Sequence, residues 1–196
     1  AKTASLSRQV NAFFALWLPW FCEHGKDAHG IARYRNTYTV FAGGDDFFLL
    51  GPWESTLELA GVLRERFADY VANDAITFSA GLTMTKPKMP VRQLAQRGEH
   101  ALNEAKSRPG KNAAHLWARS VGWNDWRALM GERRAAIEAL MARAGSHGAA
   151  FSTGLTYSLL QISDRAESQR PEDAVWRSQL HYRLARFFRD RVRGSD

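Results

Sequence analysis

The stretch Tyr38-Thr39-Val40-Phe41-Ala42-Gly43-Gly44-Asp45-Asp46-Phe47-Phe48-Leu49-Leu50 constrains the fold more than any other part of the chain. Two apolar runs flank the central Gly-Gly-Asp-Asp. Val, Thr, Tyr and Phe favour a pleated, half-buried surface. A glycine pair between such runs supplies the positive φ that tight hairpin turns need. The pattern predicts two antiparallel strands with two carboxylates at the tip. Adjacent carboxylates repel unless a cation neutralises them. Oxygen ligands beside an open, glycine-lined surface suit Mg²⁺ or Mn²⁺ completed by substrate phosphates. Gly43 and Gly44 leave no Cβ where a phosphate must come close. Asp45 and Asp46 are therefore candidate metal ligands and candidate catalytic residues of a nucleotidyl-transfer site. Gly and Asp are also ordinary turn residues, and a plain polar hairpin fits the same four positions.

The segments around the hairpin read as follows. A helix capped by Ser5 or Ser7 carries Leu6, Val10, Phe13, Phe14, Trp17, Leu18 and Phe21 at helical spacing, with Pro19 placed to kink it. Gly25 to Gly30 is a loop. His24, Asp27 and His29 lie in or beside it, and no second cluster completes a metal site with them. Arg33 and Arg35 precede the hairpin, where they can approach a phosphate or guard a sheet edge. Gly51-Pro52-Trp53 turns the chain into a helix over 54–72, with Leu57, Leu59, Ala60, Leu63 and Phe67 on one face. Residues 75–84 alternate as a strand. Gly81 inside it points to close approach by a backbone or a ligand, or to a bulge. A helix beginning at Pro90 stops at Ser107-Arg108-Pro109-Gly110. Residues 113–117 are a short strand. Lys106 and Lys111 bracket the turn before it, either as flexible cations for a triphosphate or as partners of the helix dipole. The order helix, strand, strand, helix, strand, helix, strand implies an α+β fold with one mixed sheet and helices on one face. The hairpin in that sheet lacks a central neighbour, as if one strand were missing.

From Val121 the pattern becomes helical. Helices are expected over 123–141, 151–162 and 174–193, separated by Gly145 to Gly148 and by a polar loop at 165–172. The last helix turns Val175, Trp176, Leu180, Leu184, Phe187 and Phe188 inward. Arg177, Arg183, Arg186, Arg189, Arg191 and Arg193 form the other face, either solvated or a platform for an acidic partner. The 196 residues carry a net charge of +7, which suits phosphate-bearing partners, although solubility alone also accounts for it. With 45% hydrophobic residues the chain is not of disordered composition. Cys22 is the only cysteine, so an intramolecular disulfide is impossible, and a reducing cytoplasm is the natural compartment. Its apolar surroundings mark it as inert core. Residues 13–22 are apolar but too few to span a bilayer, so no membrane partner is expected. The first residue is not Met and a helix pattern begins at once, as in a piece of a longer protein.

Phe41 to Leu49 with its Gly-Gly-Asp-Asp, then Gly51-Pro52-Trp53, Ser79-Ala80-Gly81, Lys106 and Gly110-Lys111-Asn112-Ala113, resemble the second palm domain of the large polymerase-like subunit of type III CRISPR effector complexes, in its Csm-type (III-A) branch. Leu6-Ser7-Arg8-Gln9 and Phe13-Phe14 are similar to the helix after that palm's first strand. Gln179 to Leu184 is similar to the family's closing helical domain. The resemblance implies a ferredoxin-like nucleotide-cyclase/polymerase palm over 1–119 and an all-α domain over 120–196. It implies conversion of ATP to cyclic oligoadenylates by two-metal nucleotidyl transfer with Mg²⁺ or Mn²⁺, switched on by target RNA. By this resemblance Asp45 and Asp46 bind metal and act in catalysis. Gly43, Gly44, Ser79, Gly81, Lys106 and Lys111 bind the nucleotide. Implied partners are other type III effector subunits, CRISPR RNA, target RNA, and an upstream part of the same polypeptide holding a first palm, a nuclease-like domain and a further metal-binding Asp. A diguanylate cyclase shares the palm and a Gly-Gly-Asp hairpin. Here Asp46 stands where such enzymes carry Glu. A non-catalytic RNA-binding scaffold is the third possibility.

Overall fold

β1 (Tyr38–Gly43) and β2 (Asp46–Leu50) pair antiparallel, with Gly43 opposite Asp46 and a register shift between Thr39 and Phe41. Gly44 and Asp45 form the turn, and Gly44 takes the left-handed conformation, φ 65°, that the glycine pair was expected to supply. The computed structural model describes residues 2–27, 29–146, 152–168 and 170–192. Phe151 and Arg193, which the sequence assigns to helices, lie outside the described residues.

α1 (Lys2–Ala12) continues through a π-helical turn, Phe13–Trp17, into α2 (Leu18–His24). The helix already runs at Lys2, so Ser5 and Ser7 sit inside it and cap nothing. The widened turn comes just before Pro19, whose missing N–H interrupts the ladder. In the following loop Asp27 is engaged by neighbouring amides and by Arg33. It accepts hydrogen bonds from the amides of His29 (2.9 Å) and Ile31 (2.8 Å), and Arg33 Nε lies 2.7 Å away. Arg33 also reaches Glu58 at 3.4 Å, so it is committed to carboxylates of the fold rather than to a phosphate.

α3 (Trp53–Val71) buries Leu57, Leu59, Ala60, Leu63 and Phe67. The expected strand over 75–84 is reduced to β3 (Ala80–Gly81), because backbone pairing is available only where β4 (Ala113–Leu116) runs beside it. α4 (Val91–Ser107) begins after Pro90 and ends before Pro109 as the stop signals require. β5 (Arg119–Gly122) was not anticipated; it pairs antiparallel with β4. The strands form two sheets, β1-β2 and β3-β4-β5, rather than the single mixed sheet inferred from element order. The result is an α+β arrangement, mostly helical with small sheets.

Aromatic rings join these parts, and Phe78 packs against both of the buried clusters they form. Phe14 stacks on Phe47 of β2 at 5.0 Å and on Phe67 of α3 at 5.4 Å. Phe78 meets Phe67 at 5.3 Å and Trp123 at 5.4 Å. Such pairs add about 0.5–1.5 kcal/mol each beyond burial. Trp123 Nε1 donates to the Phe78 carbonyl at 2.9 Å, satisfying the buried indole. Trp123 opens α5 (Trp123–Ala128), which also buries Trp126. The first compact unit therefore runs past the composition shift at Val121 and ends at Gly131.

The second unit, Glu132–Asp196, is helical where described. Its helices are α6 (Arg134–Ser146), reached through a π-helical turn over Leu129–Arg133, then α7 (Thr153–Glu167) and α8 (Trp176–Val192). Ser152 caps α7, its hydroxyl accepting from the Leu155 amide at 3.2 Å. Leu155 and Ile162 are buried, whereas Val175, expected to point inward, is exposed. Arg177 lies over the Trp176 ring at 5.3 Å. Among the described residues no helix is long and apolar enough to cross a membrane.

Candidate functional site

The hairpin tip is held by α1. Asn11 Oδ1 accepts a hydrogen bond of 2.7 Å from the Gly44 amide. Phe14, one helical turn further on, packs its ring on Phe47. One face of the first helix thus fixes both the turn and the strand that leaves it. A Cβ built on Gly44 would meet nothing within 4 Å, so the surface over the turn is open. Asp45 and Asp46 are both exposed, and neither side chain makes an ion pair or hydrogen bond with a described residue.

Two unpartnered carboxylates at adjacent positions are a hard oxygen donor set. Mg²⁺ is commonly held by one or two carboxylates and completed by water and substrate phosphates, so these residues fit that ion. Among the described residues no group of three or more His, Cys, Asp or Glu forms an all-protein metal cage.

The remaining candidates are distributed around this tip. Ser79 follows Phe78, whose ring meets Phe47 at 6.1 Å, which brings it within a residue of the hairpin's packing. The close approach at Gly81 is made by backbone: a Cβ there would lie 2.2 Å from the Leu102 amide nitrogen and 2.6 Å from the Gly98 carbonyl oxygen. The side of Gly81 that a side chain would occupy is filled by α4, so this glycine is required for packing. Lys106 and Lys111 are exposed and flank the turn at the end of α4. Lys111 (φ 51°) and Asn112 (φ 47°) follow Gly110 (φ 78°) in left-handed conformations. Asn112 Oδ1 accepts from Arg64 Nε of α3 at 3.2 Å, which anchors the segment carrying Lys111. Among the described residues, no hydrogen bond or ion pair joins either lysine to Asp45 or Asp46. Asn11 and Arg64 are the positioning residues that sequence reasoning missed, and Asn112, quoted there only as part of a motif, is the partner of Arg64. A polar residue on a helix face gives no sign of what it bonds.

Residues 1–115 match the family described as Cas10/Cmr2, second palm domain. A protein of Enterococcus italicus, named CRISPR system single-strand-specific deoxyribonuclease Cas10/Csm1 (subtype III-A), is 29% identical over 189 residues, covering 95% of this chain and 22% of its own length. The protein of that name from Mycobacterium tuberculosis is 32% identical over 131 residues, covering 64% of this chain and 16% of its own length. The chain thus spans about a fifth of these relatives. Among solved structures, the Csm1-Csm4 cassette in complex with AMPPNP superposes with a TM-score of 0.66 at 24% identity, over 87% of this chain and 26% of the other. At that identity the likeness concerns the fold.

Proposed function

The chain belongs to the family of the Cas10/Cmr2 second palm domain, and on that premise we propose that it is the catalytic palm of a type III CRISPR effector subunit that joins ATP into cyclic oligoadenylates. The observation that carries this reading is the pair of free carboxylates, Asp45 and Asp46, at an open glycine turn that Asn11 holds in place. In the reaction, the 3′-hydroxyl of one ATP attacks the α-phosphate of another. An O–P bond forms as the bond to pyrophosphate breaks, and the hydroxyl proton passes to solvent. Divalent cations, when bound, neutralise the attacking and leaving oxygens. Asp45 and Asp46 would hold them. Gly43 and Gly44 let the phosphates lie against bare backbone. Lys106 and Lys111 offset charge on the triphosphate, and Ser79 borders the nucleotide. Most of the acceleration then comes from positioning and charge neutralisation.

The chain spans only part of its relatives, so the rest of the site and the RNA trigger belong to upstream sequence and to other effector subunits. CRISPR RNA and target RNA are the expected partners in the cytoplasm. The bound AMPPNP in the related cassette supports an adenine nucleotide as ligand. The curated relatives are named for deoxyribonuclease activity, which by resemblance resides in an upstream nuclease-like domain. The test is to incubate the full-length protein, assembled with its RNA, with ATP or with GTP in Mg²⁺ and identify products by mass spectrometry. Cyclic adenylates from ATP are expected. A cyclic diguanylate from GTP would make the chain a cyclase of another kind, and no product under any RNA condition would make it a scaffold.

A further inference from the structure

A further cavity lies against the stretch of α4 from Gln93 to Ala101. It has a volume of about 480 Å³ and opens between α4, the residues after β3 and the β4–β5 turn, lined among others by Leu82, Met84, Gln93, Arg97, His100 and Trp117. Arg97 precedes Lys106 by nine residues on one helix, about 14 Å along the axis. The lining residue of α4 nearest to Lys106 is Ala101, five residues or about 7.5 Å before it, so the cavity lies on the N-terminal side of that lysine.

Its rim presents an aromatic ring at an energetic cost. Trp117 and Ala118 form the two-residue turn between Leu116 and Arg119, and both are left-handed, with φ of 51° and 62°. Turns of that kind are made for Asn and Gly, and a residue with a Cβ is strained there. Trp117 nevertheless remains 63% exposed, so the indole gains little burial in return. Charge adds a second, independent observation. The lining carries Arg97 and no Asp or Glu, and the loop that follows Met84 holds Lys86 and Lys88. Arg97 makes no ion pair or hydrogen bond with a described residue. The amide groups of Gln93 and Gln96 add donors and acceptors to the lining.

An exposed ring, an unneutralised guanidinium and amide side chains, in a cleft lined by no carboxylate, fit the face, phosphate and edge of a nucleotide. We infer that this cavity binds single-stranded nucleic acid, with a base stacked on Trp117 and its backbone drawn to Arg97 and the Lys86–Lys88 loop. A peptide would fit Trp117 and Met84, but its backbone carries no charge to pair with Arg97, whereas every nucleotide brings a phosphate.

The test uses fluorescence anisotropy of the chain with a fluorescein-labelled oligouridylate of roughly ten nucleotides. Trp117→Ala and Trp117→Gly should weaken binding roughly tenfold or more, and Trp117→Phe should stay within about threefold of the unsubstituted protein. Arg97→Ala should lower the slope of log affinity against log salt by about one. Trp117→Gly should at the same time raise the melting temperature, because glycine accepts the left-handed turn, so lost binding cannot be ascribed to unfolding. Unchanged affinity in both Trp117→Ala and Trp117→Gly overturns the proposal, as does failure of the unsubstituted chain to bind the oligonucleotide at low salt. If Trp117→Ala releases an effector protein subunit and leaves oligonucleotide affinity intact, the cavity docks protein and the proposal falls. Binding here is expected to persist in Asp45→Ala, which separates this site from the hairpin.

Discussion

Asn11 Oδ1 lies 2.7 Å from the Gly44 amide nitrogen, bonding the first helix to the hairpin turn across 33 residues of sequence. The bond is solvent-exposed, so its net contribution to stability is only about 0.5–1.5 kcal/mol. Its use is to hold the turn that carries Asp45 and Asp46. Asn11→Ala is expected to leave the melting temperature within a few degrees of the parent. Hydrogen exchange at the Gly44 amide should speed up by roughly tenfold. Exchange at that amide unchanged by the substitution would show that the turn is held by other means.

Gly81 gives the opposite kind of effect. A methyl group there collides with the α4 backbone at 2.2 Å, where no rotamer can give way. Gly81→Ala should destabilise the first unit by about 3 kcal/mol, at the upper end of the usual overpacking range. Chemical denaturation followed by tryptophan fluorescence measures this. A loss under about 1 kcal/mol would mean that α4 moves off the strand easily.

How much of this could be read in advance depends on whether the signal was local. The ends of α4 were legible because Pro90 starts it and the run from Ser107 to Gly110 stops it. The hairpin was legible because Gly43 and Gly44 announce a turn. β5 was not, because Trp117-Ala118 contains none of the residues that normally mark a left-handed turn. The strand expected over 75–84 shows the limit of alternation: period two reports a half-buried extended segment, not a paired one, and β4 pairs only Ala80 and Gly81. Of the site, the two carboxylates were visible and the groups holding them were not. Asn11 and Arg64 act across tertiary contacts that no spacing rule encodes. At Gly81 the sequence leaves open a backbone, a ligand or a bulge, and the fold puts the α4 backbone against it.

The loop after α2 should carry a pH signature. The Ile31 amide first, then the His29 amide and Arg33, hold the Asp27 carboxyl below its ordinary value of 3.8. A carboxyl whose folded-state pKa is depressed stabilises the fold above that ordinary value, and the stabilisation is lost as pH falls through the lower one. Asp27→Ala should therefore lower the melting temperature at pH 7, and the difference from the parent should shrink as pH drops below about 4. A difference that stays constant from pH 7 to the acid limit would contradict the assignment.

Cys22 is 3% exposed, and burial pushes its thiol up to about 11. The thiolate is the reactive form, so at neutral pH only about one thiol in ten thousand is competent. Modification by a thiol-specific chromogenic reagent should follow global unfolding rather than precede it. Complete reaction within minutes under native conditions would show that the helix carrying Cys22 opens locally.

The account rests on Asp45 and Asp46 acting together on the phosphates of ATP, and the most direct measurement follows radiolabelled ATP. The full-length protein carrying Asp45→Ala and Asp46→Ala would be assembled with its effector subunits and RNA and compared with the unsubstituted complex. Oligoadenylate formation should fall by at least roughly a hundredfold, while assembly and RNA binding remain intact. Synthesis at the parent rate by a correctly assembled double variant would place the chemistry elsewhere and contradict the account.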